Sequence, residues 1–218
     1  MQLKENGQKS LKKSKINKKF IYLISPKKIN SNEFYLDLEK VLKTKKVTFF
    51  QLRLKNETNR NKIYIGKKIK KICKKYKVKF LVNDEPHLAK KLNAEGCHIG
   101  QKDMNFLNSR KILKNKKIIG VTCHNSKKLA LKAKNDGASY IAFGSFFKSL
   151  TKRTAPKASL SILHWAKKKI NVPIIAIGGM NDLNYKKILS NGADYIAFSS
   201  YIWNNNKLNP LNAIKKLK

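Results

Sequence analysis

Short apolar runs recur along the chain, separated by longer stretches that mix apolar and polar residues. Eight such runs stand at 20–24 (FIYLI), 47–52 (VTFFQL), 79–82 (KFLV), 96–99 (GCHI), 117–121 (KIIGV), 140–143 (YIAF), 173–177 (PIIAI) and 195–198 (YIAF). The runs are continuous rather than alternating, which is typical of strands that are buried on both faces. The pattern therefore predicts eight buried strands.

The segments between these runs have the period of amphipathic helices. In 59–76 (NRNKIYIGKKIKKICKKY) and 126–136 (SKKLALKAKND), apolar residues recur every three or four positions and lysines occupy the other face. Strand and helix thus alternate eight times. Eight units of this kind in about 200 residues predict an α/β protein with a single (β/α)8 barrel, a TIM barrel, over 20–218.

One phrase of nine residues occurs twice, as GASYIAFGS at 137–145 and GADYIAFSS at 192–200. Gly137 and Gly192 stand where a predicted helix ends, a place that favours a residue able to adopt positive φ. The strand YIAF follows, and then small polar residues. Barrels of this kind carry their sites at the carboxyl ends of the strands, so both copies end where a site is expected.

Composition adds a strong positive charge to this picture. The chain has 50 Lys and Arg against 12 Asp and Glu, a formal net charge of +38. Such a surface attracts polyanions, among them nucleic acid, anionic membranes and phosphorylated small molecules. The lysines follow no single face and arginine is scarce, whereas a nucleic-acid footprint is normally a localised patch. We expect small-molecule substrates and no specific nucleic acid.

The cysteines and the first residues indicate a cytoplasmic protein. Cys73, Cys97 and Cys123 stand far apart, which argues against a disulfide framework or a zinc knuckle. Residues 1–19 are basic without the apolar core of a secretory signal, and no run is as long as a membrane span. We expect 1–19 to form a basic, disordered extension, and we expect no membrane association. A homo-oligomer stays open.

Polar side chains follow the second and third predicted strands. Gln51, Arg53 and Lys55 alternate with leucines and share one face by the strand period of two. An Arg and a Lys on an inward face would be costly unless they met an anion. Asn83 and Asp84 follow the third strand, so these five residues predict an anion pocket.

The fourth strand contributes His98, Gln101 and Asp103 to the same end of the barrel. Asp84 and Asp103 are isolated carboxylates in a chain that is poor in acid. One or two protein carboxylates, completed by substrate phosphates and water, are the usual ligands of Mg²⁺. The two aspartates therefore predict a Mg²⁺ site.

The last strands predict a second anion pocket. The loop after the sixth strand is rich in hydroxyls and cations, at Ser149, Thr151, Lys152 and Arg153. Gly178 and Gly179 follow the seventh strand, and Ser199 and Ser200 follow the eighth. Many barrels bind phosphate after strands seven and eight, where glycines let the backbone approach a ligand.

Taken together, these blocks resemble the thiamine phosphate synthase family from about Phe20 to Trp203. The likeness is carried by QLRLK (51–55), LVNDEPHLA (81–89), GCHIGQKD (96–103), IIGVTCHNS (118–126), YIAFGSFFKSLTK (140–152), VPIIAIGGM (172–180) and GADYIAFSS (192–200). The resemblance implies a Mg²⁺-dependent transferase. It would join hydroxymethylpyrimidine diphosphate to hydroxyethylthiazole phosphate, or to its carboxylate, and release thiamine monophosphate and pyrophosphate.

The resemblance also implies a role for each matching residue. The catalytic set is Arg53, Lys55, Asn83, Thr122 and Lys152, of which all but Thr122 would hold the pyrophosphate. Asp84 and Asp103 would hold Mg²⁺. Gln51, His98 and Thr122 would lie beside the pyrimidine. The thiazole and its phosphate would be received by Ser149, Thr151, Gly179, Ser199 and Ser200.

Three positions depart from the family pattern. Leu54 replaces a usual Glu, Lys148 and Ser149 replace a usual Pro and Thr, and Thr122 replaces a usual Ser. We expect Leu54 to change packing only, because it alternates to the other face of the strand. Losing the proline loosens the loop after the sixth strand. Thr122 keeps the hydroxyl, so we expect the reaction type to survive.

Two alternatives remain. A thiazole tautomerase relative shares the barrel and would use a histidine after the fifth strand, a place that His124 occupies. That relative tends to lose the two acidic residues, whereas this chain keeps Asp84 and Asp103. We expect His87 and His164 to lie on helices, outside the site. The second alternative is a polyanion-binding barrel without catalysis, which the net charge alone supports.

Overall fold

Eight parallel strands close into a barrel in chain order, which confirms the predicted TIM barrel. The computed structural model describes residues 19–148 and 157–218, so the predicted extension lies outside it except for Lys19. The strands are β1 (Ile21–Ile24), β2 (Val47–Leu52), β3 (Lys79–Asn83), β4 (Gly96–Ile99), β5 (Ile118–His124), β6 (Tyr140–Gly144), β7 (Ile174–Ile177) and β8 (Tyr195–Phe198). Each overlaps one of the eight predicted runs.

Helices follow the strands around the outside of the barrel. They are α1 (Glu33–Lys43), α2 (Asn59–Lys75), α3 (Pro86–Lys91), α4 (Phe106–Leu113), α5 (Lys127–Asn135), α6 (Leu160–Lys169), α7 (Tyr185–Ser190), α8 (Ser200–Trp203) and α9 (Pro210–Lys216). Of the helices in the two described ranges, none is long and apolar enough to cross a membrane.

The segment after β8 differs from the predicted single helix, because it forms both α8 and α9. Asn205 Oδ1 accepts hydrogen bonds from the N–H groups of Lys207 (2.9 Å) and Leu208 (3.1 Å) in the intervening turn. Asn209 then caps α9, and Pro210 occupies its first turn. Asparagine and proline favour turns and helix starts over helix interiors, so they divide this segment.

The amphipathic pattern is confirmed in α2. Thr58 caps its start by accepting a hydrogen bond from the Asn61 N–H at 3.2 Å. Ile65, Ile69 and Cys73 are buried at spacings of four, so one face of the helix packs on the barrel. The departing residue Leu54 also packs in this outer core and is 4% exposed, as expected.

Most helices end on a residue with left-handed backbone. Gly137 (φ 92°) and Gly192 (φ 111°) confirm the prediction from the repeat. At Lys45, Lys77 and Asn93, φ is also positive, between 46° and 59°, although these residues carry a Cβ. A left-handed non-glycine residue costs about 1–2 kcal/mol. The helix ends with lysine are therefore strained.

Residues just before β4, β6 and β8 tie neighbouring strands at the amino-terminal end of the barrel. Three side chains that precede even-numbered strands each accept a hydrogen bond from a backbone N–H near the start of the preceding odd-numbered strand. The pairs are Glu95 with Phe80 (2.9 Å), Ser139 with Ile119 (3.1 Å) and Asp194 with Ile174 (2.8 Å). This end of the barrel is thereby closed by strand-to-strand ties.

Side chains fill the barrel interior. The interior cluster consists of Tyr22, Phe49, Leu81, Tyr140, Ala142, Ile175 and Ala197. The Tyr140 ring lies across Gly120, where a Cβ atom would stand 1.8 Å from the ring. The described barrel interior is therefore filled by side chains, and the site is expected at the mouth.

Gly120→Ala tests this packing. We expect it to destabilise the protein by about 3 kcal/mol, the upper range for overpacking, because a ring held on both sides cannot move away. Gly66→Ala in α2 is the matched control. Its Cβ meets the flexible end of Leu92, so we expect a change below about 1 kcal/mol, helped by the higher helix propensity of alanine. Urea unfolding measures both, and equal effects would contradict the packing.

Lys77→Gly tests the strain after α2. We expect a gain of about 1 kcal/mol, because glycine adopts φ near 55° without the steric cost. Lys74→Gly, which places glycine inside the last turn of α2, should instead lose about 1 kcal/mol. Thermal unfolding of both variants gives the sign, and a loss at Lys77 would show that the left-handed residue is not strained.

Candidate active site

Four predicted polar residues lie together at the upper end of the barrel interior. Gln51 lies near the end of β2, Asn83 ends β3, His98 lies in β4 and Thr122 in β5. Gln51, Asn83 and His98 are 3%, 9% and 8% exposed. Buried polar groups need hydrogen-bond partners, so their contacts decide what this region can do.

The two amides are bonded to each other and to a tyrosine. The Gln51 amide nitrogen donates to the Asn83 side-chain oxygen. The Tyr22 hydroxyl donates to Gln51 Oε1 at 2.7 Å. Gln51 is thereby held on both sides, and its orientation sets that of Asn83.

In the neighbouring strand β4, His98 is held at both ring nitrogens. Nδ1 lies 2.8 Å from the Tyr140 hydroxyl and Nε2 lies 2.7 Å from Thr122 Oγ1. The imidazole stacks on the Tyr140 ring with centroids 5.6 Å apart. Gln101 Nε2 donates to the Thr122 carbonyl at 2.6 Å. The imidazole plane is thus fixed.

Tyr22 and Tyr140 are functional candidates that the strand pattern alone missed. Their hydroxyls lie 2.8 Å apart and join the two groups of residues just described. Burial raises the pKa of both phenols far above the ordinary value, so they remain protonated. Tyr140 and Tyr195 both begin a YIAF strand, so the two-residue period of a strand places them on the same face. The sequence pattern therefore could not single out Tyr140 as the partner of Tyr22.

Asp84 and Asp103 meet at the mouth, as predicted. Their side chains are hydrogen-bonded to each other. Lys55 Nζ lies 2.9 Å from Asp84 Oδ2, and the Gly100 N–H donates to Asp103 Oδ2 at 2.8 Å. The two loops after β3 and β4 are joined through this carboxylate pair.

The pKa values of Asp84 and Asp103 are shifted in opposite directions. Burial raises the pKa of Asp84, but hydrogen bonds from Asp103 and Lys55 outweigh burial, and the pKa falls below its ordinary value. Burial, followed by the neighbouring Asp84 carboxylate, raises the pKa of Asp103 above its ordinary value. As pH rises, Asp84 is therefore the first of the two carboxyl groups to lose its proton and Asp103 the second.

Arg53 lies close to this pair. Burial lowers the pKa of its guanidinium, while Asp84 and Asp103 raise it. The group remains charged, because an arginine pKa stays above neutrality by a wide margin. Ser25 holds the Arg53 backbone by accepting from its N–H at 2.9 Å. Two cations and two carboxylates thus share one corner of the mouth.

These oxygen ligands suit a divalent cation. Within 19–148 and 157–218, no cluster of three or more His, Cys, Asp or Glu side chains could hold a metal. Mg²⁺ needs only one or two protein carboxylates, with water and phosphate oxygens completing its shell. Two carboxylates close enough to share a proton provide such a pair, because a divalent cation can replace that proton.

Two residues at the mouth have left-handed backbone without being glycine. Asp84 has φ 61° and His124, which ends β5 after a bulge, has φ 54°. The Asp84 N–H donates to the His98 carbonyl at 2.7 Å, which fixes the turn. Such conformations concentrate at functional sites. The predicted helical positions of His87 and His164 are confirmed, in α3 and α6.

The predicted second pocket begins at two glycines after β7. Gly178 and Gly179 have φ 96° and 66°. A Cβ at Gly178 would stand 2.5 Å from Ser145 Oγ, and one at Gly179 would stand 2.5 Å from the Lys148 carbonyl. Glycine is therefore required where the loops after β6 and β7 meet.

Of the remaining residues predicted for this pocket, two are described by the structure and four are not. Ser199 Oγ donates to the Ser25 carbonyl at 3.1 Å, which links the ends of β8 and β1, and Ser200 begins α8. Ser149, Thr151, Lys152 and Arg153 lie outside the described residues. Their predicted contacts stay predictions.

Comparisons with known proteins identify the family. The family model described as thiamine monophosphate synthase matches residues 21–202. A thiamine-phosphate synthase of Pelagibacter ubique is 64% identical over 208 residues, which cover 95% of this chain and 100% of that protein. A thiamine-phosphate synthase of Erythrobacter litoralis is 38% identical and covers 84% of this chain and 87% of its own.

A solved structure extends the agreement to the fold. The thiamine phosphate pyrophosphorylase from Pyrococcus furiosus has a TM-score of 0.81 and 28% identity to this chain, and the match covers 92% of this chain and 94% of that one. The family match spans the barrel from β1 to α8, including both aspartates and both tyrosines. The chain belongs to the thiamine monophosphate synthase family.

Proposed function

We propose that the protein joins hydroxymethylpyrimidine diphosphate to hydroxyethylthiazole phosphate, or to its carboxylate, and gives thiamine monophosphate and pyrophosphate. With the carboxylate as substrate, the thiazole also loses its carboxyl group as carbon dioxide. The observation that carries this proposal is the corner formed by Asp84, Asp103, Lys55 and Arg53 at the barrel mouth. A diphosphate needs cations around it, and the two carboxylates suit Mg²⁺. Family membership supports the same reaction.

Each group in this corner has a part in binding the diphosphate. Arg53 and Lys55 supply positive charge, and Asn83 supplies amide hydrogens from the end of β3. Asp84 and Asp103 would hold Mg²⁺, which when bound neutralises charge on the diphosphate oxygens. The bare carboxylates would repel the diphosphate, so substrate and cation are expected to bind together.

The reaction itself is a substitution at the pyrimidine methylene carbon. The bond from this carbon to the diphosphate oxygen breaks, and its electron pair leaves with the pyrophosphate. The thiazole nitrogen then donates its lone pair to the resulting cation and forms the new C–N bond. The protein aligns the two rings, with Gln51, His98 and Thr122 beside the pyrimidine, and stabilises the departing charge.

The thiazole phosphate would bind at the loops after β6, β7 and β8. Gly179, Ser199 and Ser200 support this assignment from the described part of the chain. Ser149, Thr151 and Lys152 complete it as predictions. Because Gly179 has no Cβ, no side-chain atom of this residue fills the loop junction, which lets a phosphate approach the backbone.

The tautomerase alternative rests on His124, which lies at the mouth as predicted. The paired Asp84 and Asp103 favour the synthase, because a tautomerisation has no diphosphate to neutralise. The polyanion alternative rests on the net charge of +38 alone.

We further propose a cytoplasmic location. The three cysteines are free and buried, which suits a reducing compartment. A homo-oligomer stays a prediction that sedimentation analysis can test.

Asp84→Asn tests the corner directly. We expect product formation to fall by about 100-fold or more, as for the loss of a principal electrostatic group, because the amide cannot replace the anionic ligand. The measurement uses both thiamine precursors with Mg²⁺, followed by oxidation to fluorescent thiochrome. Asp136→Asn is the matched control, since Asp136 forms an ion pair with Lys132 on α5, and EDTA should abolish the signal in wild type.

Two results would contradict the proposal. No thiochrome from folded wild-type protein would reject the synthase, and isomerisation of the thiazole by the same sample would then identify the tautomerase. Full activity of Asp84→Asn would be consistent with the synthase reaction but would reject the proposed role of Asp84 as a Mg²⁺ ligand.

The affinity for Mg²⁺ should depend on pH. Asp103 must lose its proton to bind the cation, and its pKa is raised, so affinity is present above that pKa and is lost as pH falls through it. Below it, each pH unit should cost up to about tenfold in affinity. Calorimetric titration with Mg²⁺ and pyrophosphate measures this, with Asp136→Asn as control, and an affinity independent of pH between about 4 and 8 would contradict the ligand role.

A further inference from the structure

An unbroken chain of hydrogen-bonded side chains crosses the barrel interior below the mouth. It takes one residue from each of β5, β4, β6, β1, β2 and β3. In order, its members are Thr122, His98, Tyr140, Tyr22, Gln51 and Asn83. Every link is a side-chain contact between different strands, so the chain connects the pyrimidine side of the site to the diphosphate side.

Counting protons along this chain gives it a direction. A phenol has one proton, and that of Tyr22 is donated to Gln51 Oε1. Tyr22 therefore accepts in its contact with Tyr140, whose own proton is then used. Tyr140 in turn can only accept from His98, so Nδ1 of His98 must carry a hydrogen.

The two ends of the chain follow from the same count. In a neutral imidazole with hydrogen on Nδ1, Nε2 is an acceptor, so the Thr122 hydroxyl donates to it. At the other end Gln51 donates to the Asn83 side-chain oxygen. Both hydrogens of the Asn83 amide nitrogen therefore remain available for other acceptors, as an anionic ligand requires.

With a neutral His98, one other arrangement satisfies every link, and it is the complete reversal. If the Gln51 amide were turned over, it would donate to Tyr22, and each link up to Thr122 would reverse. A mixed arrangement would leave two buried oxygens facing each other without a proton between them. Such a defect costs about 1–3 kcal/mol. The chain is therefore expected to hold one direction throughout.

We propose that hydrogen-bond donation along these side chains runs in one direction, from Thr122 to Asn83. Tyr22 and Tyr140 are then positioning residues, which hold His98 as its Nδ1–H tautomer. Through Gln51 they also present the Asn83 amide hydrogens to the diphosphate. An anion beside Asn83 favours this direction over the reverse. The effect on catalysis rests on the proposed function, whereas the tautomer does not.

Packing restricts the two tyrosines to these roles. Tyr22 and Tyr140 are each 2% exposed, and their ring centroids lie 5.8 Å apart. The Tyr140 ring lies between Gly120 and the imidazole of His98. Neither hydroxyl can turn to solvent, so the links between strands are their means of satisfying the buried oxygens.

Nitrogen-15 NMR of the full chain tests the direction. At about pH 8, where an imidazole is neutral at its ordinary pKa, the shifts and couplings of Nδ1 and Nε2 identify the tautomer. The chain has four histidines, and loss of one signal set in His98→Gln assigns His98. We expect the hydrogen on Nδ1. A neutral ring with its hydrogen on Nε2 would overturn the proposed direction.

Tyr140→Phe tests the positioning role. It removes the acceptor of the Nδ1 hydrogen, so we expect the tautomer to shift to Nε2–H with Thr122 as acceptor. Tyr195→Phe is the matched control, because Tyr195 packs against the same interior cluster without being a member of the chain. We expect it to leave the tautomer unchanged. An unchanged tautomer in Tyr140→Phe would overturn the role.

Kinetics provide a readout that loss of packing would not give. In Tyr140→Phe, kcat/KM for the pyrimidine diphosphate should fall on the order of 10-fold to 100-fold, as for a misplaced group, while KM for the thiazole phosphate stays within about twofold. Equal losses for both substrates would overturn the positioning role and indicate general damage.

The two proposals fail separately. A wild type that forms no thiamine phosphate but shows the Nδ1–H tautomer would reject the synthase and keep the chain direction. If Tyr140→Phe does not fold, Tyr22→Phe breaks the chain one link further on and is expected to shift the same tautomer. The wild-type spectrum decides the direction in either case.

Discussion

A tyrosine hydroxyl buried inside a barrel must find a hydrogen-bond partner within the barrel. Tyr22 and Tyr140 satisfy this requirement with each other, and the remaining lone pair and proton are satisfied by His98 and Gln51. An unpaired buried hydroxyl costs about 1–3 kcal/mol, so the requirement orders side chains from six strands at once. The upper layer of the barrel is therefore arranged before any substrate binds.

The opposite end of the barrel supplies rigidity. Side chains of Glu95, Ser139 and Asp194 accept hydrogen bonds from backbone N–H groups of neighbouring strands and so tie the strands together at the amino-terminal end. Helix ends there retain lysines in left-handed backbone, and the stability provided by the packed core tolerates this strain. Stability and function thus lie at different ends, which leaves the mouth free to carry costly groups such as the left-handed Asp84.

The mouth carries a pair of carboxylates, in contrast to the strongly positive charge of the whole chain. In a protein with a net charge of +38, Asp84 and Asp103 face each other closely enough to share a proton. Their mutual repulsion would be unfavourable without Lys55, Arg53 or a bound cation nearby. The general lysine excess adds an attraction for phosphorylated ligands, while the carboxylate pair would, under the proposed function, favour a metal complex of the diphosphate.

Sequence alone determined the eight strands and the barrel, because burial on both faces produces continuous apolar runs. It also placed Gln51, Asn83 and His98 at the same end of the barrel, because the carboxyl ends of parallel strands meet. It also indicated Asp84 and Asp103, since carboxylates in an acid-poor chain stand out. It could not distinguish Tyr140 from Tyr195, which begin identical YIAF strands. Only the closed barrel decided that the first reaches His98 and Tyr22, because partners across an interior depend on tilt and packing of all eight strands rather than on the period of one.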